Sequence, residues 1–173
     1  MADFLLVDGY NVVGAWPELV ALKEKSLEHA REKLADILAG YGAYKDYKVV
    51  IVFDANKVAS GGPRTETTAG GLEIVYSQEG ETADSYIERQ AYQLVRAGHN
   101  VYVVTSDWAQ QLTVLGAGAW RIPARELLAD VLAAAKAIRD GYVEADWQRR
   151  RQEVGGRLAP DIARRLDALR RGR

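Results

Sequence analysis

Acidic residues follow the apolar segments of this chain, and this arrangement limits the possible fold more than any other feature. The run LLV ends in Asp8, the run VVIVF in Asp54, and the run VYVVTS in Asp107. Runs of consecutive apolar residues are typical of strands that are buried on both faces of a parallel sheet. Because parallel strands end at a common edge, where open α/β sheets bind ligands, these acids are predicted to share that edge. Asp84 is predicted to join them from the first turn of a helix after the run LEIVYS.

Strand and helix patterns alternate along the chain. This order predicts an α/β fold of right-handed βαβ units around a mostly parallel central sheet of four to five strands. Apolar runs place these strands at 4–8, 48–54, 72–77, 100–105 and, as a short candidate, 120–122. Helical spacing of apolar residues predicts helices at 27–44, at 82–97, after residue 107 and from 123 to about 140. Segment 55–71 has no periodicity and is predicted to be a loop.

The chain from residue 144 onward differs in charge from the rest. It holds nine arginines and five acids for a net charge of +4, whereas the remainder carries −5. Such an asymmetry is typical of a tail that binds an anionic partner, although a solvated, arginine-rich helix has the same composition. We therefore predict a domain over 1–143 and an Arg-rich helical C-terminal tail over 144–173. Gly155 and Gly156 are predicted to separate two short tail helices.

The composition argues against several kinds of chemistry. The chain has no cysteine, which excludes disulfides, thiol catalysis and cysteine-based metal sites. It also lacks a G-x-x-x-x-G-K-[ST] loop, a G-x-G-x-x-G turn after the first strand and a G-x-S-x-G elbow. The first strand begins near residue 4 and no apolar stretch is long enough to span a bilayer, so a cytoplasmic protein with no membrane partner is expected.

Each acid has a structural explanation when it is considered alone. Asp8 and Asp54 fit turn dipeptides, and Asp84 fits the first turn of a helix capped by Thr82. Asn11 could orient Asp8 or a phosphate, or could bond within its own turn. The acids as a set are not explained in this way. Carboxylates gathered without basic neighbours are tolerated when divalent cations lie between them, and oxygen donors suit Mg²⁺ or Mn²⁺.

The chain has two histidines, and neither is predicted to act as a catalytic base. His29 lies within a predicted helix and His99 in a helix-to-strand turn. Both are interpreted as structural residues, which argues against a metal-free ribonuclease mechanism based on histidine.

Taken together, the motifs resemble those of the YacP-like NYN-domain proteins, which belong to the PIN-like nuclease group. The matching segments extend from residue 4 to about 141 and are, in order, LLVDGYNVVGAWPEL, VVIVFDA, GETADSYIERQA and VYVVTSDWAQQ. One branch of this family is a ribosome-associated bacterial endoribonuclease. The resemblance implies a PIN-like α/β/α three-layer fold and metal-dependent hydrolysis of RNA phosphodiester bonds.

The resemblance also implies roles for individual residues. Asp8, Asn11, Asp84 and Asp107 match catalytic positions of the family. Asp8, Asp54, Asp84 and Asp107 would hold Mg²⁺ or Mn²⁺. This chain has Asn56 where the family often has histidine, so no role is transferred to that position.

Basic and aromatic residues outside the acidic edge are candidates for RNA contacts. Cations neutralise phosphates and aromatic rings stack on unpaired bases, which suits single-stranded RNA as the partner. The resemblance implies that this RNA is mRNA and that the ribosome is a further partner. The candidates are Lys57, Arg64, Trp108, Arg149, Arg150 and Arg151. Trp16 is interpreted as a core residue instead.

Two other classes of function remain open at this point. The first is an RNA- or ribosome-binding module with weak or no nuclease activity. The second is a Mg²⁺-dependent phosphatase or a phosphotransfer receiver domain. A receiver would pair its acids with a strand-end lysine, which is not evident here. An aspartate-dependent phosphatase usually has a second acid two residues after the nucleophile, where this chain has Tyr10.

Overall fold

The computed structural model describes residues 1–55, 64–68, 70–106 and 116–155, and within these it contains six strands and five helices. The strands are β1 (Asp3–Asp8), β2 (Tyr47–Phe53), β3 (Arg64–Thr67), β4 (Glu73–Tyr76), β5 (Asn100–Val104) and β6 (Trp120–Ile122). The helices are α1 (Gly9–Ala15), α2 (Pro17–Lys25), α3 (Leu27–Lys45), α4 (Ala83–Arg96) and α5 (Ala124–Gly155).

The six strands form one sheet in the order β3-β4-β2-β1-β5-β6. All neighbouring pairs are parallel except β3 and β4, which are antiparallel. The predicted α/β class and the mostly parallel sheet are confirmed, but the predicted number of four to five strands is too low. The missed strand, β3, has the sequence RTET and lies at the edge of the sheet, where a strand needs no apolar run.

Helices cover both faces of the sheet, so the three-layer α/β/α arrangement is confirmed. One face packs against α1, α2, α3 and the first turns of α5, and the other packs against α4. The division follows the alternation of side chains along a strand. In β1, Leu5 and Val7 belong to the first core and Leu6 to the second.

The segment between β1 and α3 contains two helices that periodicity did not predict. Both are short, and α2 begins with a proline at its first position, which is a common start for a helix. Trp16 joins them and is 2% exposed, and its indole Nε1 donates a hydrogen bond to the carbonyl of Ala124 at 2.7 Å. The interpretation of Trp16 as a core residue is therefore confirmed.

Helix α4 follows its prediction closely. Thr82 is the N-cap, and its hydroxyl accepts a hydrogen bond from the backbone N–H of Ser85 at 3.1 Å. The apolar side of the helix is buried at Ala83, Ile87 and Ala91. Because α4 leads from the end of β4 back to the start of β5, its first turn lies at the edge where the parallel strands end.

Helix α5 differs from its prediction. The expected helix ending near residue 140 and the first expected tail helix are one continuous helix to Gly155. A single glycine within a helix, here Gly141, costs about 1 kcal/mol and does not end it when good helix formers follow. The second expected tail helix lies outside the described residues.

The chain divides into two compact units, Met1–Ala134 and a second unit that starts at Ala135, within α5. The predicted boundary at residue 143 stays a prediction. Within the described ranges, no helix combines the length and the apolar character that crossing a bilayer requires.

Candidate functional site

The C-terminal edge of the sheet carries three of the four predicted acids. Asp8 is the last residue of β1 and Asp54 follows β2, and these strands are parallel neighbours with Asp8 opposite Val52. Asp84 lies in the first turn of α4, which packs against both strands. All three acids are half-buried. The fourth, Asp107, lies outside the described residues.

The D-G-Y-N motif forms the start of a helix rather than a free turn. The carboxylate of Asp8 accepts a hydrogen bond from the backbone N–H of Asn11 at 3.3 Å and thereby caps α1. The side-chain oxygen of Asn11 in turn accepts a hydrogen bond from the backbone N–H of Ser106 at 3.1 Å. Ser106 directly precedes Asp107 in the chain. Asn11 therefore connects the end of β1 to the end of β5.

Gly9 is required by close packing. A Cβ atom at this position would lie 2.3 Å from Cε1 of Phe53, well inside van der Waals contact. Phe53 is fully buried and directly precedes Asp54. The missing side chain of Gly9 thus allows the ends of β1 and β2 to approach each other, and their two acids with them.

An aromatic row lies beside the acids, and the sequence reasoning did not identify it. The ring of Phe53 lies 5.0 Å from that of Tyr10 and 5.9 Å from that of Tyr76. Burial raises the pKa of Tyr10 above its ordinary value of 10, although Arg31, which donates a hydrogen bond to the phenol oxygen at 3.4 Å, opposes this shift. The sequence does carry a signal for this row, because two successive strand segments end in an aromatic residue, Phe53 and Tyr76.

Ser77 is a second residue that the sequence reasoning missed. It is 1% exposed, and its backbone N–H donates to the carbonyl of Phe53 at 3.0 Å. Its hydroxyl accepts from the backbone N–H of Ala55 at 3.2 Å and donates to the carbonyl of Glu81 at 2.9 Å. Ser77 therefore joins the segment that carries Asp54 to the loop that precedes α4.

The donors at this edge are carboxylate oxygens, which fit a hard divalent cation such as Mg²⁺ or Mn²⁺. Within the described part of the chain, no three His, Asp or Glu side chains form a group that could hold a metal ion. Asp8, Asp54 and Asp84 alone thus do not make such a group, and the fourth predicted acid, Asp107, lies outside the described residues.

The two histidines lie at different places in the fold. Nδ1 of His99 accepts a hydrogen bond from the backbone N–H of Ala2 at 3.0 Å, at the opposite edge, where β1 and β5 begin. His29 is exposed in the first turn of α3. The interpretation of His99 as a structural residue agrees with this contact.

The predicted RNA contacts are distributed over both units. Arg64 begins β3, and its guanidinium lies 4.0 Å from the ring centroid of Tyr76, the last residue of β4. Arg149 and Arg150 both form ion pairs with Asp146 on α5, and Arg151 is exposed on the same helix. Lys57 and Trp108 lie outside the described residues.

Comparisons with known proteins all match this chain to one family. The family model of the YacP-like NYN domain matches residues 5–171. A Bacillus subtilis (strain 168) protein named "Uncharacterized protein YacP" is 36% identical over 170 residues, which cover 98% of each chain. The crystal structure of Rae1 (YacP) from Bacillus subtilis matches with a TM-score of 0.74 and 36% identity, over 98% of this chain and 95% of that one. A tryptophan-to-leucine mutant of Rae1 matches with a TM-score of 0.67 and 37% identity, over 88% and 82% of the two chains.

Proposed function

The chain belongs to the family of YacP-like NYN domain proteins, a nuclease-like family, and on this premise we propose that it is a metal-dependent endoribonuclease. Its proposed substrate is single-stranded RNA, and the proposed reaction is hydrolysis of a phosphodiester bond. The proposal includes mRNA presented by the ribosome, because the family includes a ribosome-associated endoribonuclease.

The hydrogen bonds of Asn11 are the observation that supports this proposal most directly. Its backbone N–H binds the carboxylate of Asp8, and its side chain binds the N–H of Ser106, next to Asp107. Capping of α1 requires only the first of these two hydrogen bonds. The second bond joins two strand ends that each carry a predicted acid, which suits a residue that holds a reaction centre in place.

The residues at this centre would have distinct roles. Asp8, Asp54, Asp84 and Asp107 would hold Mg²⁺ or Mn²⁺, and Asn11 would hold Asp8 and the segment before Asp107 in position. When bound, such an ion would activate water as the nucleophile and offset the charge that develops on the phosphate. The phenol of Tyr10 is neutral at neutral pH, and burial moves its pKa further upward, so it would add no negative charge beside the carboxylates.

Metal binding and cleavage should be measured on the same proteins. Calorimetric titration with Mn²⁺ and with Mg²⁺ would compare the wild type with Asp8→Asn and Asp84→Asn. Asp36→Asn, at an exposed position on α3, is the matched control for the loss of one carboxylate. Cleavage of labelled single-stranded RNA would then be followed with metal, with chelator, and with and without ribosomes.

The proposal expects metal binding and metal-dependent cleavage in the wild type and in Asp36→Asn, and loss of both in the two site variants. Unchanged cleavage by Asp8→Asn would contradict the assignment of the site. RNA or ribosome binding without cleavage under any of these conditions would support the alternative, a binding module with weak or no nuclease activity.

A further inference from the structure

A cleft of about 240 Å³ opens at the β3 edge of the sheet, beside the predicted acids. We call it the edge cleft. It lies between strands β3 and β4, the loop after β4 and the first half of α4. The residues that matter for its chemistry are Arg64, Tyr76, Gln78, Glu81, Tyr86 and Arg89.

Two guanidinium groups line the edge cleft, and each is held by an aromatic ring and a carboxylate. Arg64 lies 4.0 Å from the ring centroid of Tyr76, and its Nε donates to Glu66 at 2.7 Å. Arg89 lies 5.2 Å from the ring centroid of Tyr86, and its Nη1 donates to Glu81 at 2.6 Å. A guanidinium restrained in this way is a flat surface with fixed donors, suited to stacking and planar recognition.

The charges of the edge cleft favour a neutral ligand group over a phosphate. Both arginines are positively charged, but each is paired with a glutamate. Glu81 lines the edge cleft with Arg89, and Glu66 is paired with Arg64 on β3, so the two carboxylates offset the two cations and weaken the attraction for an anion. Tyr76 is 7% exposed and packs against Arg64 and Phe53, so the guanidinium planes and the partly exposed ring of Tyr86 are the surfaces left for a ligand. Proteins stack the bases of single-stranded RNA on such planes and rings. A nucleobase fits these surroundings better than a phosphate does.

The edge cleft is joined to the predicted acids through Ser77, which lines it. Ser77 binds the carbonyl of Phe53 and the N–H of Ala55, on either side of Asp54. Its hydroxyl also binds the carbonyl of Glu81, three residues before Asp84. A nucleotide in the edge cleft would therefore lie beside the acids rather than at a remote surface.

We propose that the edge cleft binds the base of one unpaired nucleotide of the RNA substrate, next to the bond that is cut. This inference rests on the proposed ribonuclease function and extends it to substrate recognition. Sites for drug-sized ligands measure about 300–1,000 Å³, so the smaller edge cleft suits a single base. The exposed amide of Gln78 can donate to and accept from the edge of that base, which would produce a sequence preference at this position.

The chain contains a matched control for Arg89. Arg96 lies on the same helix and contacts a tyrosine in the same way, with its guanidinium 5.5 Å from the ring centroid of Tyr92, but it does not line the edge cleft. Arg89→Met and Arg96→Met each remove one positive charge and one arginine–tyrosine contact. A difference between the two variants therefore reports the edge cleft and not the general attraction of RNA to cations. Because Arg89→Met also breaks the ion pair with Glu81, the double variant Arg89→Met/Glu81→Gln is measured beside it.

Binding of a short, labelled single-stranded RNA would be measured by fluorescence anisotropy in the Asp8→Asn background, which prevents cleavage. We expect Arg89→Met to weaken binding by about tenfold, since the contribution of one stacked base is of that order. Arg96→Met should leave the affinity unchanged. Equal weakening by both variants, or by neither, would overturn the proposal.

A second measurement does not depend on how well the variants fold. RNA that contains thiouridine would be photo-crosslinked to the Asp8→Asn protein, and the attachment sites would be found by mass spectrometry. Crosslinks to Gln78 or Tyr86 would support the proposal, and crosslinks confined to other segments would overturn it.

Failure of the ribonuclease proposal is seen separately, as absence of metal-dependent cleavage by the wild type. RNA binding that depends on Arg89 in a protein that does not cleave would keep the edge cleft as an RNA subsite. Absence of RNA binding would overturn the proposal that the edge cleft binds a base. The ribonuclease proposal would then still be tested by the cleavage assay in the presence of ribosomes.

Discussion

The side-chain oxygen of Asn11 accepts a hydrogen bond from the backbone N–H of Ser106 at 3.1 Å, although the two residues are far apart in the chain. The strands that they follow, β1 and β5, are parallel neighbours. Asp8 lies three residues before Asn11, and Asp107 directly follows Ser106. A change at Asn11 should therefore affect the surroundings of both acids.

Asn11→Ala should reduce activity more than stability. Loss of one partly exposed hydrogen bond costs about 0.5–1 kcal/mol in the free energy of unfolding. Displacement of catalytic groups can lower the rate by about tenfold or more. Asn11→Asp keeps an acceptor for Ser106 and should retain the stability. Urea unfolding and kcat/KM on single-stranded RNA would test this, and full activity of the alanine variant would contradict it.

Two substitutions of Asp8 should separate its charge from its role as a helix cap. Asparagine caps a helix about as well as aspartate, so Asp8→Asn should keep the free energy of unfolding and abolish cleavage. Asp8→Ala should abolish cleavage and also lower stability by about 1 kcal/mol, since the cap to Asn11 is lost. Thermal unfolding and RNA cleavage assays distinguish them. Equal stability of the two variants would show that the cap contributes little.

Gly9→Ala should destabilise the protein by about 1–3 kcal/mol, because its methyl group would overlap the buried ring of Phe53. Gly14→Ala is the control, since no atom lies within 4 Å of a Cβ at that position of the same helix. It should be neutral or stabilising, by up to roughly 1 kcal/mol. Chemical denaturation measures both effects. Relief of the Gly9→Ala effect by Phe53→Leu would confirm overlap as the cause.

Alkaline pH should destabilise the protein in part through Tyr41. Burial and the hydrogen bond that its hydroxyl donates to Asp130 raise the pKa of Tyr41 far above its ordinary value of 10. Above pH 10 the unfolded chain therefore loses this proton while the folded chain keeps it, and the free energy of unfolding falls as pH rises. Below pH 10 both states keep the proton and this contribution does not change with pH.

Tyr41→Phe should accordingly show a shallower loss of stability than the wild type between about pH 10 and 11. Some loss should remain, since burial also raises the pKa of Tyr10 and Tyr47. The control is Tyr44→Phe, at an exposed position on the same helix. Urea unfolding at several pH values gives the slopes, and identical slopes for wild type and Tyr41→Phe would refute the assignment.

The parallel sheet was predictable because burial on both faces leaves a direct trace in sequence. Leu5, Leu6 and Val7 are each at most 1% exposed, and a run of apolar residues is the consequence. Strand β3 left no such trace, since an edge strand made only of polar residues has the composition of a loop. The length of α5 was underestimated because the helix continues through Gly141 and past the change in charge near residue 144.

The candidate site was predictable in part for a related reason. Asp8 and Asp54 could be placed at one edge because the directions of parallel strands follow from the βαβ order. The edge cleft was not predictable, because it joins Arg64 on β3 to Arg89 on α4. No sequence pattern connects these two residues, and each arginine alone is typical of an ordinary solvent-exposed surface.

The sequence by itself determined the alternation of the main strands and helices, the parallel core and the family, since these depend on local patterns and on motifs that are read in order along the chain. Tertiary structure alone decided that Asn11 reaches Ser106, that Gly9 admits the ring of Phe53, and that two arginine–tyrosine pairs line one cleft. The physical reason is that hydrogen bonds, ring packing and charge balance depend on distances between atoms. Those distances arise only after the chain has folded and has brought remote residues together.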